Sequence, residues 1–233
     1  TEQKMNALKK AVNTFIDNVA KQEDSKGNKI ANRISIVKFA GKLQESAADE
    51  VGNDTYQEGS YTYNYSQIVK SLTLTNNETN VTELKEAVNK LQPAGATQSD
   101  NGMTLAQHVL EASTDNKKVV IMFTDGTPTS KQHFENGVAS RAITAAKALK
   151  ANKTTVFTVG VFGGADPSAS VTDNRTSDEN KYMHAVSSNY PDATYTETYN
   201  NNYTWSFGNR AENSNYYLAA SNAAQLDDVF QAI

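Results

Sequence analysis

The chain contains no cysteine. That excludes disulfide staples, a thiol nucleophile and thiolate metal ligands. Only 4 of its 233 residues are proline, and tryptophan occurs once. Its 3 histidines, His108, His133 and His184, are far apart and lack a ligand spacing such as His-Glu-x-x-His. His108 and His184 fall on expected helices, at solvent-facing or core-edge positions. There is no basic block, and the net charge of −4 argues against binding driven by phosphate neutralisation, so nucleic acid is not an expected partner. No apolar run reaches the length of a membrane span, so no direct membrane insertion is expected. Neither a Gly-x-Ser-x-Gly elbow nor a Walker-type loop occurs.

What is present is a core of ordinary size and long polar stretches. Hydrophobic residues make up 38% of the chain, and Tyr outnumbers Phe by 11 to 8. The absence of cysteine fits a cytosolic protein or an exported bacterial surface protein that does without disulfides, and the abundance of Asn, Thr, Ser and Tyr resembles a solvent-facing extracellular one. The expected elements alternate. Met5, Leu8, Val12, Phe15, Ile16 and Val19 mark one face of a first helix. Residues 33–39 read as a strand, 41–65 as a long loop or small insertion, and 68–75 as an edge strand. Within the insertion, Tyr61-Thr62-Tyr63-Asn64-Tyr65 suits a hairpin with one aromatic face. Thr82 is the expected cap of a second helix, and Asn101–Ser113 a third. A helix over 137–151, a buried strand over 155–162, a short helix over 179–188, a last strand over 216–220 and a terminal helix over 222–233 follow. The stretch 190–215 shows little pattern. Strands alternating with helices predict an α/β fold, a mostly parallel sheet with helices on both faces. One domain over 1–233 is expected, elaborated by insertions at about 41–65 and 163–215.

The most informative segment is Lys118–Thr129. The five apolar residues Val119–Phe123 read as a central strand buried on both faces. The run stops at Asp125-Gly126-Thr127-Pro128-Thr129. In open α/β sheets ligands bind beyond the carboxyl ends of strands, so Asp125 stands where a site is expected.

The order of helix, strand, hairpin region, helix, Gly95-Ala96-Thr97 loop, helix, and apolar strand ending Thr124-Asp125-Gly126 resembles a von Willebrand factor type A domain, as found in Gram-positive bacterial surface and pilus adhesins. The resemblance implies a Rossmann-like doubly wound fold and a metal-ion-dependent adhesion site. It implies Thr97 and Asp125 as metal ligands, with Gly126 letting the backbone turn sharply beside the ion. The implied cofactor is Mg²⁺ (or Mn²⁺ or Ca²⁺). A hard cation wants six oxygen ligands, and few direct negative ones leave charge for an acidic group of a partner. The implied partner is a host or extracellular-matrix protein, and the implied setting the cell surface, within a longer parent chain. Tyr199, Tyr203 and Trp205 are candidate rim residues, since Tyr and Trp favour recognition surfaces. The same aromatics could instead pin a long loop.

The family's first strand and its Asp-x-Ser-x-Ser loop are missing. Thr1 therefore reads as a fragment boundary, the sheet is expected to have a gap, and cation affinity is expected to be weak. Asp166-Pro167-Ser168-Ala169-Ser170 has the right spelling but follows the 155–162 strand and reads as part of an insertion. Catalysis is not expected. An apolar strand ending Asp-Gly-Thr resembles the nucleophile loop of dehalogenase-type phosphatases, but the position of the second carboxylate holds Phe123. A structural stalk domain with a degenerate site is the main alternative, and a metal-dependent phosphate hydrolase a lesser one.

Overall fold

The computed structural model describes residues 2–44, 54–115 and 117–220, with 225, 228, 229 and 233 beyond them. The expected terminal helix over 222–233 falls mostly outside the described residues, as does the middle of the 41–65 insertion. Two compact units divide the chain, Thr1–Gly95 with Asn222–Ile233, and Ala96–Ser221. Among the described residues no helix is long and apolar enough to cross a membrane.

In the first unit the expected amphipathic helix is α1, Glu2–Ala20. Strands β1 (Arg33–Lys38), β2 (Thr55–Glu58), β3 (Tyr61–Asn64) and β4 (Gln67–Leu74) precede α2 (Glu78–Asn89). Strand β1 pairs antiparallel with β4, from Arg33 opposite Leu74 to Lys38 opposite Gln67. Ile16 of α1 and Leu84 and Val88 of α2 are buried together, with Ile34 and Ile36 of β1 packed on them. The cap of α2 is Asn77, whose side chain accepts the Asn80 N–H at 3.1 Å. Thr82 is not the cap. It lies a turn inside the helix, where its hydroxyl donates to the Glu78 carbonyl. The tyrosine-rich insertion forms the β2–β3 hairpin, with Tyr56 opposite Tyr63 and their rings stacked at 5.5 Å.

The second unit holds α3 (Ser99–Glu111), β5 (Val119–Thr124), α4 (Asn136–Ala151), β6 (Thr155–Gly160), α5 (Asp178–Val186), β7 (Thr194–Tyr199), β8 (Asn202–Ser206) and β9 (Tyr217–Ala219). Strands β5, β6 and β9 form a parallel sheet in that order, with Thr124 opposite Gly160 and Gly160 opposite Ala219. Helix α4 buries Val138, Ala139, Ala142, Ile143, Ala146 and Leu149, and its alanines allow close packing. At its last turn the Lys150 ammonium donates to the carbonyls of Ala185, Ser187 and Tyr190, which ties down the end of α5.

Two expectations change here. Strand β5 is not buried on both faces. Val120, Met122 and Thr124 are buried, whereas Val119, Ile121 and Phe123 remain partly open. Tyr182 of α5 covers the even-numbered face, its hydroxyl 4.0 Å from Met122 Sδ. A run of apolar residues cannot by itself show whether one face or both are covered. The stretch 190–215 is not patternless either, since β7 and β8 form an antiparallel hairpin with Tyr195 opposite Trp205. Asn200 and Asn201 make its turn at φ of 46° and 62°, in the left-handed region that Asn tolerates.

Candidate metal centre

The site is built where β5 ends. Thr124 is buried, and its hydroxyl both accepts the Gly126 N–H and donates to the Gly126 carbonyl, each at 3.2 Å. This ties the chain into a tight turn with Asp125, an exposed residue, at its apex. Gly126 does not adopt a positive φ, so the turn does not depend on glycine's conformational freedom. Space does not require glycine here either, but a Cβ at this position would stand in van der Waals contact, 3.6 Å, with the Thr97 hydroxyl, which places that hydroxyl beside the turn.

Thr97 reaches this place through its main chain. It forms an isolated antiparallel bridge with Thr129, in the loop that follows Asp125. The start of α3 is then pinned twice more. The Ser99 hydroxyl meets the Tyr182 hydroxyl at 2.5 Å, and Arg141 Nε donates to the buried Asp100 carboxylate at 2.8 Å. The β5–α4 loop is closed by Glu135, which accepts the Ser130 N–H and hydroxyl at 2.8 and 2.6 Å. Burial pushes the Glu135 carboxyl up, but those bonds, with Arg141 and Lys131 nearby, hold it below its ordinary value. The two residues expected to bind metal are thus brought to one place beyond the carboxyl end of β5.

A cavity of about 800 Å³ opens beside them, lined among others by Asp125, Thr127, Phe162, Asp166 and Glu179. The Asp166–Ser170 stretch, read above as part of an insertion, folds back to this cavity. Strands β5 and β6 are parallel neighbours, so the loops leaving them emerge on the same side. Asp166 itself is occupied. It accepts the Ser168 N–H at 2.9 Å and the Ser168 hydroxyl at 2.6 Å, and those bonds hold its carboxyl below the ordinary value. Glu179 and Thr127 were not legible as site residues. Glu179 lies in the first turn of α5, and nothing local in the sequence shows that this turn returns to β5.

The rim candidates separate. Trp205 stacks on Tyr195 at 4.0 Å and Tyr203 packs tilted against it at 5.1 Å, and the Tyr195 hydroxyl donates to Asn136 of α4 at 2.7 Å. These two rings pack within the hairpin, and Tyr195 ties it to α4 and to Phe134. Tyr199, 73% exposed, stands at its tip. None of the three lines the cavity. His184 is fully buried, not at the surface or the core edge as expected.

The donors suit a hard divalent cation in kind, a carboxylate and a hydroxyl with no nitrogen or sulfur. Among the described residues no three Asp, Glu or His side chains group into a cage. A cation here would rely on Asp125, Thr97 and further oxygens.

A parallel α/β sheet with helices packed on it, and with Thr97 and Asp125 in neighbouring loops beyond the carboxyl end of β5, defines the class as Rossmann-like. Residues 32–201 match the profile of the von Willebrand factor type A domain, and the chain belongs to that family. No curated protein sequence matches the chain at a significant level. Solved structures with the same fold include a von Willebrand factor type A protein from Catenulispora acidiphila, at 15% identity and a TM-score of 0.56, covering 99% of this chain and 37% of that one. The pilus adhesin SpaC from Lactobacillus rhamnosus GG, in its open conformation, is similar at 17% identity and a TM-score of 0.60, covering 99% and 27%. The von Willebrand domain of the type V pili tip protein Mfa5 from Porphyromonas gingivalis matches at 11% identity and a TM-score of 0.54, covering 98% and 87%. The chain spans well under half the length of the first two.

Proposed function

We propose that this chain is the adhesion module of a longer bacterial surface or pilus protein, capturing a protein ligand through a divalent cation. In this reading residues 1–233 act as one von Willebrand A-type domain outside the cell. The partner is a host or matrix protein offering an acidic group. Asp125 would hold the cation with its carboxylate, and Thr97 with a neutral hydroxyl. When bound, the cation supplies a positive centre with open positions that a partner carboxylate can fill. Thr124 keeps Asp125 turned outward, and the bridge to Thr129 keeps Thr97 beside it.

The observation that carries the reading is the Thr97 hydroxyl lying against Gly126, next to the exposed Asp125. Kinship of fold with pilus proteins supports the adhesive role. Isothermal titration with Mg²⁺ and Mn²⁺ tests it. Binding is expected for the protein and lost in Asp125→Ala. Equal binding by both would overturn it, and no heat from either would favour a structural stalk domain. The absence of a three-carboxylate cage among the described residues is what keeps that second reading in view.

A further inference from the structure

Asp125 and Thr97 supply two oxygen donors, fewer than a hard cation wants. The same cavity carries other carboxylates, and their bonding sorts them. Asp173 is engaged by Arg175, with Nη2 donating at 2.8 Å and Nε at 3.1 Å. Asp166 is engaged by Ser168. Glu179 differs. It is half-buried in the first turn of α5, and its Oε1 accepts one long bond, 3.4 Å from the hydroxyl of Thr127. Thr127 is two residues beyond Asp125, so this bond aims Glu179 at the loop that carries the expected metal ligand. Glu179, Thr127 and Asp125 line one cavity.

We propose that Glu179 faces the cation held by Asp125 and Thr97 as a second carboxylate, and that it sets how much positive charge remains for an acidic ligand. The inference rests on the metal-centred reading above. A divalent ion beside one carboxylate keeps a net positive charge, and a second carboxylate nearby cancels most of it. Glu179 therefore strengthens cation binding and weakens capture of a partner's acid. It tunes the centre between holding its ion and holding its ligand. A merely structural Glu179 would move both affinities in the same direction when replaced, so opposite signs are the signature.

Tb³⁺, a hard oxygen-seeking cation, is the probe, and acetate stands in for the acidic group. Two quantities are read from Tb³⁺ luminescence. One is the Tb³⁺ dissociation constant. The other is the acetate concentration that half-displaces Tb³⁺-bound water, followed by emission lifetimes in H₂O and D₂O. In Glu179→Gln, Tb³⁺ affinity is expected to fall about tenfold while acetate binds the loaded protein roughly three- to tenfold more tightly. Asp178→Asn removes the same charge from the same helical turn, but Asp178 does not line the cavity, and both readings should stay within about twofold. A metal-free melting curve confirms that Glu179→Gln is folded. If both affinities stay unchanged in Glu179→Gln, or both weaken, the assignment of Glu179 is overturned while the metal reading stands. If Asp125→Ala binds Tb³⁺ as well as the parent, the metal reading falls and takes this inference with it.

Discussion

Thr97 and Thr129 exchange two backbone hydrogen bonds, 2.9 Å from the Thr97 N–H to the Thr129 carbonyl and 3.0 Å in return. The loop before α3 and the loop after β5 are therefore joined by main chain, which leaves the Thr97 side chain free of any role in joining them.

Thr97→Val should consequently keep the fold and lose the donor. The valine matches threonine in shape, and the melting temperature is expected to stay within a few degrees. Losing a hydroxyl oxygen from a charged centre is worth roughly 1.5–3 kcal/mol, so Mg²⁺ affinity should drop at least tenfold. Calorimetry decides, and an unchanged affinity removes Thr97 from the centre.

His184 makes stability depend on pH. Its ring is fully buried between Tyr190 and Tyr217, at centroid distances of 5.8 and 5.0 Å, with Asn189 Nδ2 3.2 Å from its Nδ1. Burial foremost, then Arg210, lowers its pKa from 6.5 to about 4, against the opposing pull of the Pro167 and Ala169 carbonyls and Asp166. The unfolded chain takes up the proton first as pH falls. This contribution to stability is thus intact above about pH 6.5 and is lost down to about pH 4, at about 1.4 kcal/mol per pH unit. Urea unfolding of the protein and of His184→Gln across that window isolates it. Parallel profiles for the two would refute the assignment.

The β7–β8 hairpin offers a paired comparison. Trp205 stacks between Tyr195 at 4.0 Å and Phe207 at 5.5 Å. Trp205→Ala should destabilise by about 2–4 kcal/mol, lowering the melting temperature by roughly 5–15 °C. Tyr199→Ser, at the exposed tip, should cost under about 0.5 kcal/mol. If Tyr199 belongs to the recognition rim, its loss weakens partner capture in a solid-phase adhesion assay with no change in melting.

The contrast between these residues shows what the sequence could reveal. Helix α1 was readable because its apolar residues repeat at helical spacing, and Asp125 because an apolar strand ends abruptly on it. The pairing of Thr97 with Asp125 was readable through family resemblance, since nothing local links two loops 28 residues apart. The hairpin was legible in principle. Tyr203, Trp205 and Phe207 alternate with Thr204 and Ser206, and two asparagines mark the turn, but the polar composition around them hid the alternation. Glu179 and the return of Asp166 depend on how α5 and the loop after β6 fold against β5, a tertiary fact with no signature in either segment. Asn77 and Thr82 are both suitable caps for α2 by residue type, and only backbone geometry selects Asn77.

The hairpin is gripped mainly toward its open end, where Tyr195, with Tyr203 and Trp205 against it, bonds to Asn136, while its turn at Asn200–Asn201 adds a long bond, 3.4 Å from Asn136 Nδ2 to the Asn201 carbonyl. Anchor and apex are thus largely separable along the chain. A foreign peptide loop spliced between Asn200 and Asn201 would inherit a rigid pedestal, which makes this turn a natural site for grafting an epitope or affinity handle onto the domain.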